Sequence, residues 1–452
     1  MKVHLIAIGG SAMHNLAIAL HDKGVKVTGS DDEIFEPSKS RLAKRGILPE
    51  AIGWFPEKIT SDLDAVILGM HARKDNPELL KAQELGLSIF SYPEYIYEQT
   101  KDKLRVVIGG SHGKTSITAM ILHVLHHNQV ECDYMVGAQL DGFDCMVRLS
   151  HTAKIAILEG DEYLSSPIDL RPKFHLYQPD IALLSGIAWD HINVFPTFEI
   201  YVDQFKIFLD KIPASGALVY CAADAEVKKL AENHEGKFEK IPYLTHAHHI
   251  ENGVSILETN NGEVPLEIFG DHNLQNLNGA RLVCEKLGVS STDFYKAIQS
   301  FKGAARRLEL VKKNDQTAIY KDFAHSPSKL KATTSALKNQ YDNRQLIACM
   351  ELHTFSSLNA NFLGEYEGSM AAADKAFVYF NPHTIEHKKL PPISVEQVEN
   401  AFGSENVEVF TDSKSLVERL EQTEWNHKNL LMMTSGNFDG VDFVELAEKL
   451  LS

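Results

Sequence analysis

At 452 residues the chain is too long for one ordinary hydrophobic core and has room for two or three domains. Its 44% apolar and 23% charged residues are typical of soluble globular proteins. A net charge of −16 argues against general nucleic-acid binding but leaves a phosphorylated substrate open, provided local Lys, Arg or backbone N–H groups receive the phosphates.

The first apolar run, Val3-His-Leu-Ile-Ala-Ile-Gly-Gly10, is too short for a signal peptide and reads as a strand entering a turn. No later run approaches the roughly 18–20 residues of a membrane span. Asp31 closes the next strand, about 20 residues after Gly10, a spacing that dinucleotide-binding folds also show. An NAD-dependent enzyme is therefore a rival reading, although Ile8-Gly9-Gly10-Ser11 lacks the GxGxxG spacing. Ala65-Val-Ile-Leu-Gly69 adds a third strand, and the polar Gln99–Lys103 reads as a linker.

Strands then alternate with amphipathic helices in two further series, which predicts an α/β fold with largely parallel sheets. The second series begins at Leu104–Ile108 and continues through Lys154–Asp161, Ile181–Gly186 and Gly216–Cys221 to the helix-like Asn273–Leu287. The third contains Gln345–Met350, Lys375–Phe380 and Leu430–Gly436. The expected domains are 1–103, 104–304 and 305–452.

Between Ile108 and Ser116 an apolar strand runs into Gly109-Gly110-Ser111-His112-Gly113-Lys114-Thr115, and a helix with apolar Ile117, Met120, Ile121, Val124 and Leu125 follows. Glycines let backbone N–H groups curl inward, and a helix N-terminus adds positive potential. Lys114 can then reach the outer phosphates of ATP, and the Thr115 hydroxyl can ligate Mg²⁺. The common GxxxxGK(S/T) pattern would place its first glycine where Ile108 stands, so this is a variant loop.

Two acidic clusters end apolar runs, Glu159-Gly-Asp-Glu-Tyr163 and Asp190-His-Ile-Asn193. Glu159 is placed to hold the phosphate-bound Mg²⁺, and His191 to hold a second ion. Other features carry a plainer reading. His123, His126 and His127 read as a partly exposed helix face, Cys132 and Cys145 as small core residues, and Lys228–Lys237 as a solvated helix end. The five cysteines, at 132, 145, 221, 284 and 349, form no CxxC pair, which predicts a reducing, cytoplasmic setting.

With these motifs in order, the whole chain resembles the Mur ligase family. Gly110-Ser-His-Gly-Lys-Thr-Ser116 is similar to its GTHGKTT signature. Glu159–Tyr163, Asp190-His191, Gly270-Asp-His-Asn-Leu-Gln-Asn276, Ala305-Arg-Arg-Leu-Glu309 and Asp322-Phe-Ala-His-Ser-Pro327 are similar to its later motifs. The resemblance implies three domains: an N-terminal Rossmann-like one for the UDP-sugar, a central P-loop ATPase-like one with a mostly parallel sheet, and a C-terminal Rossmann-like one.

It also implies roles. Gly110, Ser111, His112, Gly113, Lys114, Thr115 and Ser116 would cradle ATP, with Thr115 and Glu159 on one Mg²⁺ and His191 on another. Asn273 would meet adenine and Asp322 the ribose. Arg306 or Arg307 would reach the γ-phosphate, and His325 would lie near the reacting groups. Gly9, Gly10, Ser11, Ser30, Asp31, Gly69 and His71 would line the UDP-sugar site. The lysine that some relatives carbamylate falls on Phe205, beside Lys206.

The implied activity is ATP-dependent amide formation on UDP-N-acetylmuramate, by a monomer or homodimer. Glu159–Pro179 and Thr434–Gly440 resemble the branch that adds the peptide L-alanyl-γ-D-glutamyl-meso-diaminopimelate during peptidoglycan recycling, and the insert around Asp169–Phe174 is one the L-alanine-adding branch typically lacks. The segment around His353 departs from that branch and is similar to the L-alanine-adding one, the alternative in de novo synthesis. A regulatory ATP-binding protein without catalysis is the third reading, kept alive by Asn193 and Ser326 where the family has Asp and His.

Overall fold

The computed structural model describes all residues except Asp141, Asn252, Ala305, Arg306, Ser404 and Glu405. Contacts divide the chain into two compact units. One holds Met1–Ile187, Thr197–Leu244 and Gly279–Phe294; the other holds Ala188–Pro196, Thr245–Asn278 and Tyr295–Ser452.

The first unit contains two parallel-dominated sheets. Its N-terminal sheet has the spatial order Lys26–Ser30, Lys2–Ile6, Ala65–Leu68, Ile89–Ser91, with every pairing parallel. Val3, Leu5 and Ile6 are fully buried. This is what a parallel sheet covered on both faces requires, and why its strands read as continuous apolar runs. The neighbours of Lys2–Ile6 come from successive crossovers to opposite sides, so the strand order reverses at its carboxyl end. A crevice opens at such a switch point.

The larger sheet runs Glu239–Tyr243, Ala217–Cys221, Ile181–Leu184, Leu104–Gly109, Ile155–Glu159, Asp133–Met135, Val147–Arg148. Only the last, two-residue strand is antiparallel. Here the switch point is the carboxyl end of Leu104–Gly109, flanked by Ile155–Glu159 on one side and Ile181–Leu184 on the other. The glycine-rich loop leaves from there into the helix Lys114–His127.

In the second unit, a six-stranded sheet has the order Glu309–Lys313, Ala318–Asp322, Lys428–Met433, Gln345–Leu352, Lys375–Phe380, Val407–Phe410, antiparallel only at the first pair. Strand alternation sends Leu346, Ala348, Met350 and Leu352 into one core and Ile347 and Cys349 into another. A separate antiparallel meander is built from His248–Glu251, Val254–Thr259 and Gly262–Leu266.

The three expected α/β bodies thus appear as three sheets of the predicted class. Among the described residues no helix is long and apolar enough to cross a membrane. All five cysteines are buried and unpaired. Burial raises the Cys132 thiol to about 12, which leaves it inert, as its reading as a core residue required. His126 and His127 sit on an exposed helix face, and no metal-holding group of three His, Cys, Asp or Glu occurs among the described residues.

Candidate functional site

The phosphate loop is shaped by its glycines. Gly110 has φ 132° and Gly113 φ 80°, both in the left-handed region. A Cβ on Gly110 would lie 2.2 Å from the Ser185 hydroxyl. The turn Ser185-Gly186 fastens the loop: the Ser111 N–H and hydroxyl donate to the Gly186 carbonyl at 3.0 and 3.1 Å, and Ser185 donates to the carbonyls of Gly109 and His112. The His112 ring covers Gly186, where an added Cβ would meet Nε2 at 2.2 Å. Gly110→Ala is expected to weaken ADP binding about 10-fold by calorimetry and to lower the melting temperature as well, because the strained φ and the Ser185 clash both burden the folded state.

Within this unit the loop residues meet the first acidic cluster. Lys114 Nζ donates to the Gly110 carbonyl at 2.5 Å and to Glu162 Oε2 at 2.6 Å. Burial disfavours its charge, but Glu162, Asp161 and Glu159 outweigh that and raise the ammonium above its ordinary range. The Thr115 hydroxyl donates to Glu159 Oε1 at 2.8 Å, and the Gly137 N–H donates to Oε2 at 2.7 Å. Burial pushes the Glu159 carboxyl above the usual range, against the pull of those partners.

This pair suits Mg²⁺. It offers two hard oxygens, one on a buried carboxylate, and leaves other coordination positions to phosphate and water. Glu162 and Tyr201 are additions that sequence reasoning did not single out. Glu162 lay inside the quoted motif, but its partners are 48 and 39 residues away. Phe205 is fully buried and Lys206 exposed, so no lysine side chain occupies that interior position.

A cavity of about 830 Å³ opens at the N-terminal switch point, lined by Gly9, Gly10, Ser11, Asp31 and His71 among others. Asp31 Oδ2 accepts the Gly9 N–H at 2.6 Å, and burial raises the Asp31 carboxyl. Arg41 and His14 also line the cavity and face each other at 3.3 Å. Ser30 and Gly69 lie beneath rather than on its wall. Ser30 is fully buried, its carbonyl accepting from Ala7 and Ile8, and a Cβ on Gly69 would meet the Ile6 carbonyl at 2.9 Å.

In the second unit, His191 adopts φ 55°, unusual for a non-glycine, and its N–H donates to Asp190 Oδ1 at 2.8 Å. Lys329 approaches Asp190 Oδ2 at 3.7 Å. Burial, with the Lys329 charge, lowers His325 to about 4, so its ring is neutral at physiological pH. The Asp322 oxygens accept the N–H groups of Leu308 and Ala324, each at 2.6 Å. Arg307 stacks over Phe323 at 5.0 Å. Arg306 lies outside the described residues. Asn273 is buried, its amide donating to the Phe269 carbonyl at 2.9 Å. His353 stands 3.6 Å from Glu351, whose carboxylate also takes the Phe438 N–H.

Family models match in three consecutive stretches: the Mur ligase family catalytic domain over residues 2–103, the Mur ligase middle domain over 108–284, and the Mur ligase glutamate ligase domain over 306–436. UDP-N-acetylmuramate–L-alanine ligase of Sulfurihydrogenibium is 30% identical over 437 residues, covering 95% of this chain and 92% of its own. UDP-N-acetylmuramate–L-alanyl-γ-D-glutamyl-meso-2,6-diaminoheptandioate ligase of Haemophilus influenzae is 26% identical over 455 residues, covering 97% of each chain. Among solved structures, UDP-N-acetylmuramate-alanine ligase of Thermotoga maritima shares the fold with a TM-score of 0.70 at 19% identity, covering 100% of this chain and 98% of its own. These matches set aside the NAD-dependent reading: the chain belongs to the Mur ligase family of ATP-dependent, amide-bond-forming ligases.

Proposed function

We propose that the chain uses ATP to join UDP-N-acetylmuramate to the amine of L-alanyl-γ-D-glutamyl-meso-diaminopimelate. The relatives of both kinds carry UDP-N-acetylmuramate in their names, which supports that acid substrate. The peptide reading rests on one observation, the segment around Asp169–Phe174 that resembles the peptide-adding branch and that the L-alanine-adding branch typically lacks. The loop that carries it closes on itself through Ser165 N–H to the Arg171 carbonyl at 3.0 Å and Lys173 N–H to the Tyr163 carbonyl at 2.9 Å. Asp169 holds Arg171 through both carboxylate oxygens. L-Alanine is the second reading, favoured by the 30% identical relative and by His353.

In the first step a carboxylate oxygen of the sugar acid attacks the γ-phosphorus and ADP leaves, giving an acyl phosphate. The amine nitrogen then attacks the acyl carbon, phosphate leaves with the C–O electrons, and the ammonium proton passes to solvent or a base. A carboxylate alone is a poor electrophile, because oxide is a poor leaving group; phosphorylation supplies a better one. Two anions meet in the first step, so positive charge must be in place beforehand.

Lys114 carries that charge in this reading, together with Arg306 or Arg307, and the loop N–H groups hold the phosphates. Thr115 and Glu159 would hold Mg²⁺, with His191 on a second ion, and bound Mg²⁺ neutralises phosphate charge. Asn273 would hold the adenine, Asp322 the ribose, and His325, neutral, would stand near the reacting groups. Gly9, Gly10, Ser11, Asp31 and His71 would line the UDP-sugar, with Ser30 and Gly69 supporting them. His353 would face the amine substrate. Residues 1–103, 104–304 and 305–452 would serve as the sugar, ATP and closing domains of a cytoplasmic enzyme.

The test is ADP release with ATP and UDP-N-acetylmuramate, offering the tripeptide and L-alanine in parallel. The tripeptide is expected to give a kcat/KM at least about 10-fold above that of L-alanine, within the range that pocket contacts discriminate. Preference for L-alanine would move the chain to the second reading. ADP release with neither amine would sink both.

A further inference from the structure

The Lys114 ammonium is held in one direction by the protein's own groups. An ammonium has three donors on a flexible four-carbon stem, so a lysine in an open loop ordinarily samples many directions. Here two donors are occupied, by the Gly110 carbonyl at 2.5 Å and Glu162 Oε2 at 2.6 Å, which fixes the direction of the third.

Glu162 is itself seated. Its other oxygen accepts the Tyr201 hydroxyl at 3.0 Å, and it is 1% exposed. Tyr201 does not move easily, because it is fully buried on the helix Phe198–Leu209 with its ring edge-on to Phe205 at 5.1 Å. Phe205 meets Phe174 at 5.5 Å, and Phe174 stacks on Phe208 at 4.7 Å. This aromatic layer packs under the loop: a Cβ on Gly109 would touch Phe208 at 3.2 Å, and one on Gly160 would touch Phe174 at 3.1 Å. The chain Phe205, Tyr201, Glu162, Lys114 therefore links the core to the phosphate loop.

A buried ion pair is weak as a stability device, since desolvation offsets most of its attraction. Pre-aiming a charge at the place where charge develops is a use in which that cost is repaid in rate. We propose that Glu162, seated by the Tyr201 hydroxyl, is a positioning residue that aims the Lys114 ammonium at the phosphate being transferred. The inference rests on the reading that Lys114 meets the ATP phosphates.

Glu162→Gln keeps the side-chain shape and removes the charge. Measured on the full chain, it should lower kcat about 10- to 100-fold, the size of one charged hydrogen bond. Calorimetric ADP affinity should stay within about 3-fold, because the lysine remains free to bind phosphate. Glu162→Asp should recover part of the loss. In a Lys114→Ala background Glu162→Gln should change kcat less than about 2-fold, since a residue acting only through Lys114 has nothing left to act on.

Equal fractional losses of kcat and ADP affinity, additivity in the Lys114→Ala background, or an unchanged kcat would each overturn the proposal. Should Glu162→Gln fail to fold, Tyr201→Phe run through the same cycle decides it, with an expected loss of about 3- to 10-fold that disappears when Lys114 is absent. Near-normal turnover by Lys114→Ala alone would refute the ATP role of Lys114 instead, and so separates the two failures.

Discussion

Lys114→Ala is expected to lower kcat by about 10²–10³, roughly 3–4 kcal/mol of transition-state stabilisation, with UDP-N-acetylmuramate binding unchanged. The ammonium is the one lysine charge seated in the glycine loop, and it lies where burial strengthens its field. Rapid-quench measurement of acyl-phosphate formation should assign the whole loss to the first step. Turnover within a few-fold of the unaltered chain would refute the assignment of this loop to catalysis.

Glu159→Ala should lose a comparable factor, about 10²–10³, with the Mg²⁺ dependence displaced to higher concentration. The carboxylate bridges the Thr115 hydroxyl and the Gly137 N–H, so it fixes one oxygen toward the loop helix and one toward the strand end. Glu159→Gln keeps the shape: its amide oxygen can still accept the Gly137 N–H, while its amide nitrogen would donate to the Thr115 hydroxyl, so chiefly the charge is lost. It should keep the fold, bind ADP without Mg²⁺ nearly as well, and lose the gain in affinity that Mg²⁺ confers. A Mg²⁺ response identical to that of the unaltered chain would remove Glu159 from the proposed metal set.

Much of this arrangement was legible in the residues because parallel strands buried on both faces produce uninterrupted apolar runs. Val3–Ile8, Leu104–Ile108, Ile181–Leu184 and Gln345–Met350 each overlap a strand, and the expected helix Asn273–Leu287 overlaps Asp271–Lys286. Some strands that escaped notice are short and buried, such as Asp133–Met135 and Ala318–Asp322, and others are exposed or mixed. Glu309-Leu-Val-Lys-Lys313 and His248-His-Ile-Glu251 alternate charges with a few apolar residues and pair only at a sheet margin or within a small meander. Their conformation is set by a partner strand, which local pattern does not report.

The site divides along the same line. The loop announces itself because glycine, lysine and threonine must be contiguous. The Glu162–Tyr201 pairing is invisible in sequence because it depends on how the helix Phe198–Leu209 packs beneath Gly109 and Gly160. His191 shows a further limit. Its positive φ is set by the surrounding backbone, and the modest enrichment of histidine in that region does not place one at that point.

The outermost strands have a consequence for handling as well as folding. A row of unpaired backbone groups at a sheet margin is a template for aggregation, and parallel sheets form slowly enough to leave such rows uncovered. Here one margin of the seven-stranded sheet, Glu239-Lys-Ile-Pro-Tyr243, carries Pro242, and the other is only two residues long. The six-stranded sheet begins with a strand that bears Lys312 and Lys313 and is kinked by a bulge between Leu310 and Lys312. Proline, brevity, charge and a bulge each spoil strand addition from a second molecule at these three margins.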